Sequence, residues 1–443
     1  MNEVEKLKKR IEDLEEENIK LKKEKEKIEK EFEEFKTKHI STVSELRKAL
    51  KIKADKTKSS KPLGSPKGHK GYFRKVSERI DYVKELCLNK CPDCHTPILG
   101  KVQEKRSRIV TDINLILRPK STKYVIPRKY CSVCDKLVEP QVPNVLPHAR
   151  LGLNLMLLVM YLKLGLRLPC AKICDFLQTQ YSVTISEGEV IGILKQLANA
   201  FGDYYTHLEK LLKLARVKHT DSTGWRVNGH NYFAWVFITT GVVMYKIRKR
   251  NNHKVALALL GKQKGNVLVV DRHSAFRTLA QKAGFQLQLC WSHILDDSKG
   301  LAKNFGNEGK YVHKKLKEIF ELSNGLNHKG TPEMIEQLKG TVFELTQRHY
   351  KHNTIRRFVN NLYYRDAENL FRFVTDPEVD PTNNISEREL RALVIIRKIS
   401  NGSRSPRGAA NTTMLLSIIQ TLRSRKENVL QGLHQILKNP SGY

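Results

Sequence analysis

Three acidic side chains stand in settings that suit metal-assisted chemistry on a phosphodiester. Asp221 lies in VKHTDSTGWRVNG, Asp271 ends the apolar run NVLVVD, and Glu387 lies in DPTNNISERELR. A carboxylate at the tip of one strand, a second after a buried strand and a third on a later helix can share two divalent cations held ~4 Å apart. Such a pair activates the attacking oxygen and stabilises the leaving one. Carboxylate oxygens are hard donors and favour Mg²⁺ or Mn²⁺. Arg388, Arg391, Arg397 and Lys398 share the helix of Glu387 and suit contacts to phosphate oxygens. Each acid alone reads as an ordinary solvated carboxylate; the three in this order do not.

The elements that must position them follow from periodicity. From residue 216 the pattern is that of strands: RVKHTD, then NYFAWVFIT, a Thr240-Gly241 turn, and VVMYKIRKR. A helical patch NHKVALALLG, the buried strand NVLVVD, a helix SAFRTLAQKAG and a strand QLQLCW come next. Three antiparallel strands followed by alternating helix and strand is the order of a ribonuclease-H-like α/β fold. In that order Asp221 closes the first strand and Asp271 the fourth, so neighbouring strand ends bring two carboxylates side by side. Their mutual repulsion favours a bound cation. The catalytic fold spans 215–430, with a helical, basic insertion over about 292–376 and a tail at 431–443. Asn383 and Asn384 read as caps of the helix that carries Glu387. Cys290 and His293 in CWSH read as packed structural residues, and Trp225 and Trp291 as core beside the site, the alternatives being metal binding and base stacking.

Upstream, residues 1–52 carry a heptad seam. Val4, Ile11, Asn18, Lys25 and Phe32 fall at one position and Leu7, Leu14, Leu21, Ile28 and Phe35 at the other, which predicts a coiled coil and self-association as a homodimer or higher homo-oligomer. Residues 53–84, KADKTKSSKPLGSPKGHKGYFRK at their heart, form a basic linker too poor in apolar residues to fold alone. Over 85–148, Cys91 and Cys94 pair with Cys131 and Cys134 as two CxxC knuckles, a set that suits a structural Zn²⁺ in a ribbon of strands. Residues 149–214 read as three helices, of which Ser186 and Glu189 cap the third; a helix-turn-helix unit and plain helical packing fit this block equally.

Composition bounds the partner. Lys and Arg number 80 against 46 acids, a formal net charge of +34. The first 60 residues hold 18 basic and 15 acidic side chains, so the excess lies almost wholly on 61–443, where the acids also stand. Such a charge favours a polyanion through counterion release. Eight cysteines, four of them in CxxC pairs, point to a reducing, cytoplasmic (nucleoid-associated) setting and to metal rather than disulfides. The most apolar stretch, Leu151–Leu168, is broken by Asn154, Lys163 and Arg167 and reads as a buried helix, not a membrane span.

TDSTGWRVNG, VVDRHSAF, CWSH and PTNNISERELRALVIIRKISNGSRSPRGA resemble the motifs of insertion-sequence-66 family transposases, which are DDE-type enzymes. The linker, the CxxC pairs and the helical block resemble the family's upstream regions, so the likeness runs colinearly over about 61–430. It implies Asp221, Asp271 and Glu387 as a metal-binding triad, and DNA bounded by terminal inverted repeats, together with target DNA, as the substrate. Companion proteins of the element belong to the same expectation. The chain departs from the pattern at Ser222, where a second acid is common, and at Asp296-Asp297, where basic residues are usual. The same acids would serve a nuclease without strand transfer, and a domesticated DNA-binding regulator could keep the upstream regions without catalysis.

Overall fold

A central sheet is dictated by five apolar segments, and its order decides which residues meet. In the computed structural model β3 (Val217–Val227), β4 (His230–Thr239), β5 (Val242–Arg248), β6 (Val267–Val270) and β7 (Gln286–Leu289) form a mixed sheet in the order β5-β4-β3-β6-β7. The first three strands are antiparallel neighbours, and β6 and β7 join in parallel. This is the ribonuclease-H-like order expected from the segments. The four residues of β6 are all buried, as a parallel strand covered on both faces requires.

The structure describes residues 149–439 continuously, with 118–125, 129–132, 135–138, 142–147 and the single residues Glu26, Val83 and Pro97. The chain divides into two units, Met1–Asp112 and Ile113–Tyr443, and the elements named here belong to the second. The expected coiled coil and linker, and Cys91, Cys94 and Cys134, lie outside the described residues. The backbone of Cys131 is described: it ends β1 (Lys129–Cys131), opposite Lys136 of β2 (Lys136–Val138), in a short antiparallel hairpin.

Four helices precede the sheet: α1 (Leu153–Met160), α2 (Cys170–Tyr181), α3 (Glu187–Ala200) and α4 (Gly202–Leu214). The apolar stretch from Leu151 is helical but changes to a π-helical turn at Tyr161–Gly165. Ser186 caps α3 by accepting from the Glu189 amide at 3.1 Å, one half of the expected capping box. Among the described residues no helix is long and apolar enough to cross a membrane.

Helices α5 (His253–Leu260) and α6 (Ser274–Ala283) lie between strands, followed after β7 by α7 (Trp291–Asn304), α8 (Gly306–Gly325), α9 (Pro332–Gln347) and α10 (Asn353–Asn360). After these come α11 (Asn384–Ser400), α12 (Pro406–Ser424) and α13 (Val429–Lys438). Helix α13 crosses residue 430, where the sequence reading ends the catalytic fold, and buries Leu433 and Ile436.

Helix α12 resolves the open edge of the sheet. The Val243 amide donates to Thr421 Oγ1 at 3.0 Å and the Tyr245 amide to Ser417 Oγ at 2.9 Å, while Thr421 Oγ1 donates to the Val243 carbonyl at 3.2 Å. Four helical residues rise about 6 Å and two strand residues about 6.7 Å, so hydroxyls spaced i, i+4 match alternate edge groups. The helix thereby stands in for a further strand and blocks edge-to-edge pairing.

Candidate active site

Strand β3 carries the first acid, but not at its end. Asp221 pairs with Val236 of β4, and β3 continues six residues further as a ribbon with β4. The Asn228-Gly229 turn closes that ribbon, both residues having left-handed φ values of 48° and 77°; Asn-Gly is the dipeptide such a two-residue hairpin favours. Asp221 therefore marks the point where β3 leaves β6, not the point where it stops. The parallel register runs from Val217↔Val267 to His219↔Val269. Continued by two residues, it sets Asp221 opposite Asp271. Asp271 breaks the strand by folding back on its own chain, its Oδ1 accepting from the His273 amide at 3.1 Å.

Glu387 lies in the first turn of α11. Leu390, Leu393 and Ile396 bury the inner face of that helix, which packs on β3 and β4. Helical spacing puts Arg391 and Lys398 on the side of Glu387, and both are exposed, as is Arg388. Arg397 differs: its guanidinium donates to the Gly224 carbonyl of β3, so it docks the helix and is not free for phosphate.

Asn383, immediately before α11, is the hub of the arrangement. Its side chain does not cap the helix, contrary to the expectation for this residue. Fully buried, it donates from Nδ2 to the Thr220 carbonyl at 2.9 Å, and its Oδ1 accepts from His219 Nδ1 at 3.3 Å. Its amide donates to Cys290 Sγ at 3.1 Å. The Arg216 carbonyl of the same strand edge accepts from Val267 at 2.9 Å, so even-numbered carbonyls face β6. At Thr220 the ladder has run out, and Asn383 supplies the missing donor. Asn384 is likewise no cap; its Oδ1 accepts from Ser292 Oγ at 3.1 Å.

Asp221 feels the other two acids. Burial pushes the Asp221 carboxyl up to about 6, and the charges of Asp271 and Glu387 add to the rise, against the Ser222 amide and His293. His293 belongs with them rather than with the packing, for its Nε2 stands 3.5 Å from Glu387 Oε1. Contact with the Cys290 thiol first, and then the Glu387 and Asp271 carboxylates, hold the imidazole well above its ordinary value. The Nδ1 atom of that ring is buried and makes no hydrogen bond of regular geometry. Burial alone would raise the Cys290 thiol, but His293 and the Asn383 amide bring it down overall. No local signal in CWSH marks this role: the partner of His293 lies 94 residues away.

Trp291 and Trp225 are core. Trp291 Nε1 donates to the Leu370 carbonyl at 2.7 Å, its ring lying 5.4 Å from Phe320 and 5.5 Å from Phe371. Trp225, 2% exposed, donates to Ser403 Oγ at 3.2 Å. Asp297, unusual in its basic context, accepts from Arg272 at 3.3 Å.

Three carboxylates, two of which raise the proton affinity of the third, Asp221, form a donor set suited to a hard divalent cation. The fit is one of donor chemistry and charge. Among the described residues no three His, Cys, Asp or Glu side chains already converge to hold an ion.

The sequence profile described as Transposase IS66 family matches residues 148–411. No curated protein matches the chain. Among solved structures, the HTLV-2 integrase catalytic core domain in complex with magnesium is 18% identical in its dimeric form, over 22% of this chain and 74% of that one, with a TM-score of 0.15. Its trimeric form is 15% identical over 32% and 93%, with a TM-score of 0.15. A chain of the simian T-cell lymphotropic virus intasome in complex with PP2A regulatory subunit B56 gamma is 14% identical over 34% and 50%, also with a TM-score of 0.15. Likenesses at that score decide nothing, whereas the profile spans more than half of the 443 residues. The chain belongs to the transposase IS66 family.

Proposed function

We propose that the protein is a DDE-type DNA transposase that cuts the ends of its element and joins them to target DNA. The observation that supports this reading is placement: the β3–β6 register sets Asp221 opposite Asp271, and Glu387 opens the helix packed on β3 and β4, near enough for the charges of Asp271 and Glu387 to add to the rise of the Asp221 carboxyl. These three carboxylates would hold two Mg²⁺ or Mn²⁺ ions, which when bound polarise the phosphodiester and activate the attacking oxygen.

The chain's own residues do the remaining work. Arg388, Arg391 and Lys398 present cations on the helix of Glu387 and hold the DNA backbone beside the acids. Asn383 and the Arg397–Gly224 contact fix that helix against β3, so Glu387 keeps its place while substrate enters. In the first step water attacks phosphorus and the 3′-oxygen leaves as a 3′-hydroxyl, the 5′-phosphate keeping the oxygen from water. In the second, that hydroxyl attacks a target phosphorus in line and displaces the target's own 3′-oxygen. Neither step needs a covalent enzyme intermediate.

The test is Asp271→Asn with DNA bearing the inverted repeats that flank the gene and Mg²⁺. Cleavage is expected to fall by several orders of magnitude while binding is kept. Undiminished cutting would sink the assignment. Wild-type products that are nicked but never joined to target would leave the nuclease reading in its place.

A further inference from the structure

The helical segment between β7 and α11 exposes an aromatic surface that the two-step reaction does not use. Phe343 of α9 is 37% exposed and Tyr364 is 68% exposed. Tyr363 joins them: its ring centroid lies 4.9 Å from that of Phe343, and Tyr364 meets it edge-on at 5.1 Å. Burial of such rings is favourable, so a cluster of three with its outermost ring in water is an open platform. Tyr363 and Tyr364 sit in a π-helical turn, Asn361–Arg365, that continues α10. Turns of this kind break the regular ladder and are found where a side chain must be aimed.

The rings are flanked by cations. Arg356 and Arg357 are exposed on α10, and Arg365 follows Tyr364 directly. Arg365 grips the fully buried Asp366, donating from Nε at 3.0 Å and from Nη2 at 2.9 Å. Two more guanidiniums reach the same carboxylate, Arg272 at 3.2 Å and Arg277 at 3.1 Å. Arg272 is the residue after Asp271. One ion cluster thus joins the acid site to the platform: among the described residues its three arginines are salt-bridged to Asp366 and Asp297, and the Asp271 carboxylate also acts on Arg277.

Charge selects the occupant. A protein partner docking through these rings would bury them among aliphatic side chains with charge kept to the rim, whereas here three exposed guanidiniums, Arg356, Arg357 and Arg365, lie on the same helical run as the tyrosines. Aromatic rings for bases beside cations for phosphates are the elements of a surface that takes unpaired nucleotides. We infer that Phe343, Tyr363 and Tyr364 stack an unpaired base of the DNA, with its phosphates running over the Arg272–Arg365 cluster towards the acids. The inference rests on the transposase reading and assigns that site a preference for locally opened strands.

The experiment measures binding by the full chain, without divalent metal, to two DNAs: a plain duplex, and the same duplex with a short unpaired tail carrying 2-aminopurine. Because stacking tolerates any base, no particular sequence is needed. Wild type should bind the tailed DNA more tightly and quench the probe. Tyr364→Ala should weaken tailed binding by about 10-fold, the effect of roughly 1.4 kcal/mol of lost stacking, and leave duplex binding unchanged; Tyr364→Trp should restore it. Equal weakening on both DNAs, no weakening, or a change in oligomeric state with DNA binding intact would overturn the platform. Stacking by a wild type that never cuts in Mg²⁺ would uphold it and fail the transposase reading; cutting without preference for opened DNA would do the reverse.

Discussion

Removing the side chain of Asn383 should loosen the whole acid site. In Asn383→Ala the Thr220 carbonyl loses its 2.9 Å donor and His219 Nδ1 its 3.3 Å acceptor, both inside a fully buried shell. A buried polar group left without a partner costs about 1–3 kcal/mol; two of them, partly relieved by relaxation, give an expected loss of about 2–4 kcal/mol. All three tryptophans of the chain, Trp225, Trp235 and Trp291, lie in or beside the sheet, so tryptophan fluorescence in urea reports this unit directly. The midpoint should fall with the slope unchanged. Asn383→Asp is nearly isosteric and isolates the donor, because a carboxylate oxygen would face the Thr220 carbonyl; it should lose about as much. Both variants should need more Mg²⁺ for half-maximal cleavage, since Glu387 hangs from the same hub. A loss below about 0.5 kcal/mol, within the range of ordinary surface changes, or an Asp variant as stable as wild type, would refute this account of Asn383.

Two further perturbations probe the frame. Lys218 is fully buried and burial lowers its pKa from 10.5 to about 8, so below pH 8 the folded protein carries a charge it would rather lose. That penalty is complete below about 8 and gone above 10.5, and wild-type stability should rise with pH between those values. Lys218→Met should gain about 2 kcal/mol at neutral pH after losing the contact to Ala215, shrinking as alkali is added; urea titrations at both pH values check it, and a gain independent of pH would refute it. Gly402 has φ +107°, and a Cβ there would stand 2.3 Å from the Arg226 carbonyl oxygen. Gly402→Ala should therefore cost about 1–3 kcal/mol and detach the Ser403 contact to Trp225, seen as a lower melting temperature and altered tryptophan emission; an unchanged melt would show that the loop gives way freely.

The sheet order was legible because each strand is bounded by its own chemistry: the Thr240-Gly241 turn, the all-apolar β6 and the polar runs between. The extent of β3 was not: the reading that closes the strand at Asp221 misses the ribbon to Val227, because Ser222 and Gly224 look like loop residues. Non-local contacts were not readable. Ser417 and Thr421 are unremarkable helix residues until β5 is placed beside them, and Asn383 reads as a cap because caps are local, whereas its partners are 93 and more residues away. His293 was hidden for the same reason. Pattern reports what a residue does for its own element, and these four positions act between elements.

The way carboxylates are paired separates the site from its scaffold. Asp366 takes three arginines, Asp376 accepts two bonds from Arg216 at 2.7 and 2.8 Å, and Glu209 pairs with Lys246. Among the described residues, Asp221 and Asp271 accept only from backbone amides, and Glu387 meets no cation but His293. In a chain with a net charge of +34 a guanidinium for each acid would be easy to supply. One placed there would neutralise the acids permanently and fill the space between them. Holding the helix of Glu387 to β3 instead through Asn383, a neutral group bonded to the Thr220 carbonyl one residue before Asp221, fixes their positions and leaves their charge to be answered from outside. Arginines stand one residue away on either flank, Arg272 after Asp271 and Arg388 after Glu387. On the proposed function, they would meet the phosphates of a bound strand there without answering the charge of the acids themselves.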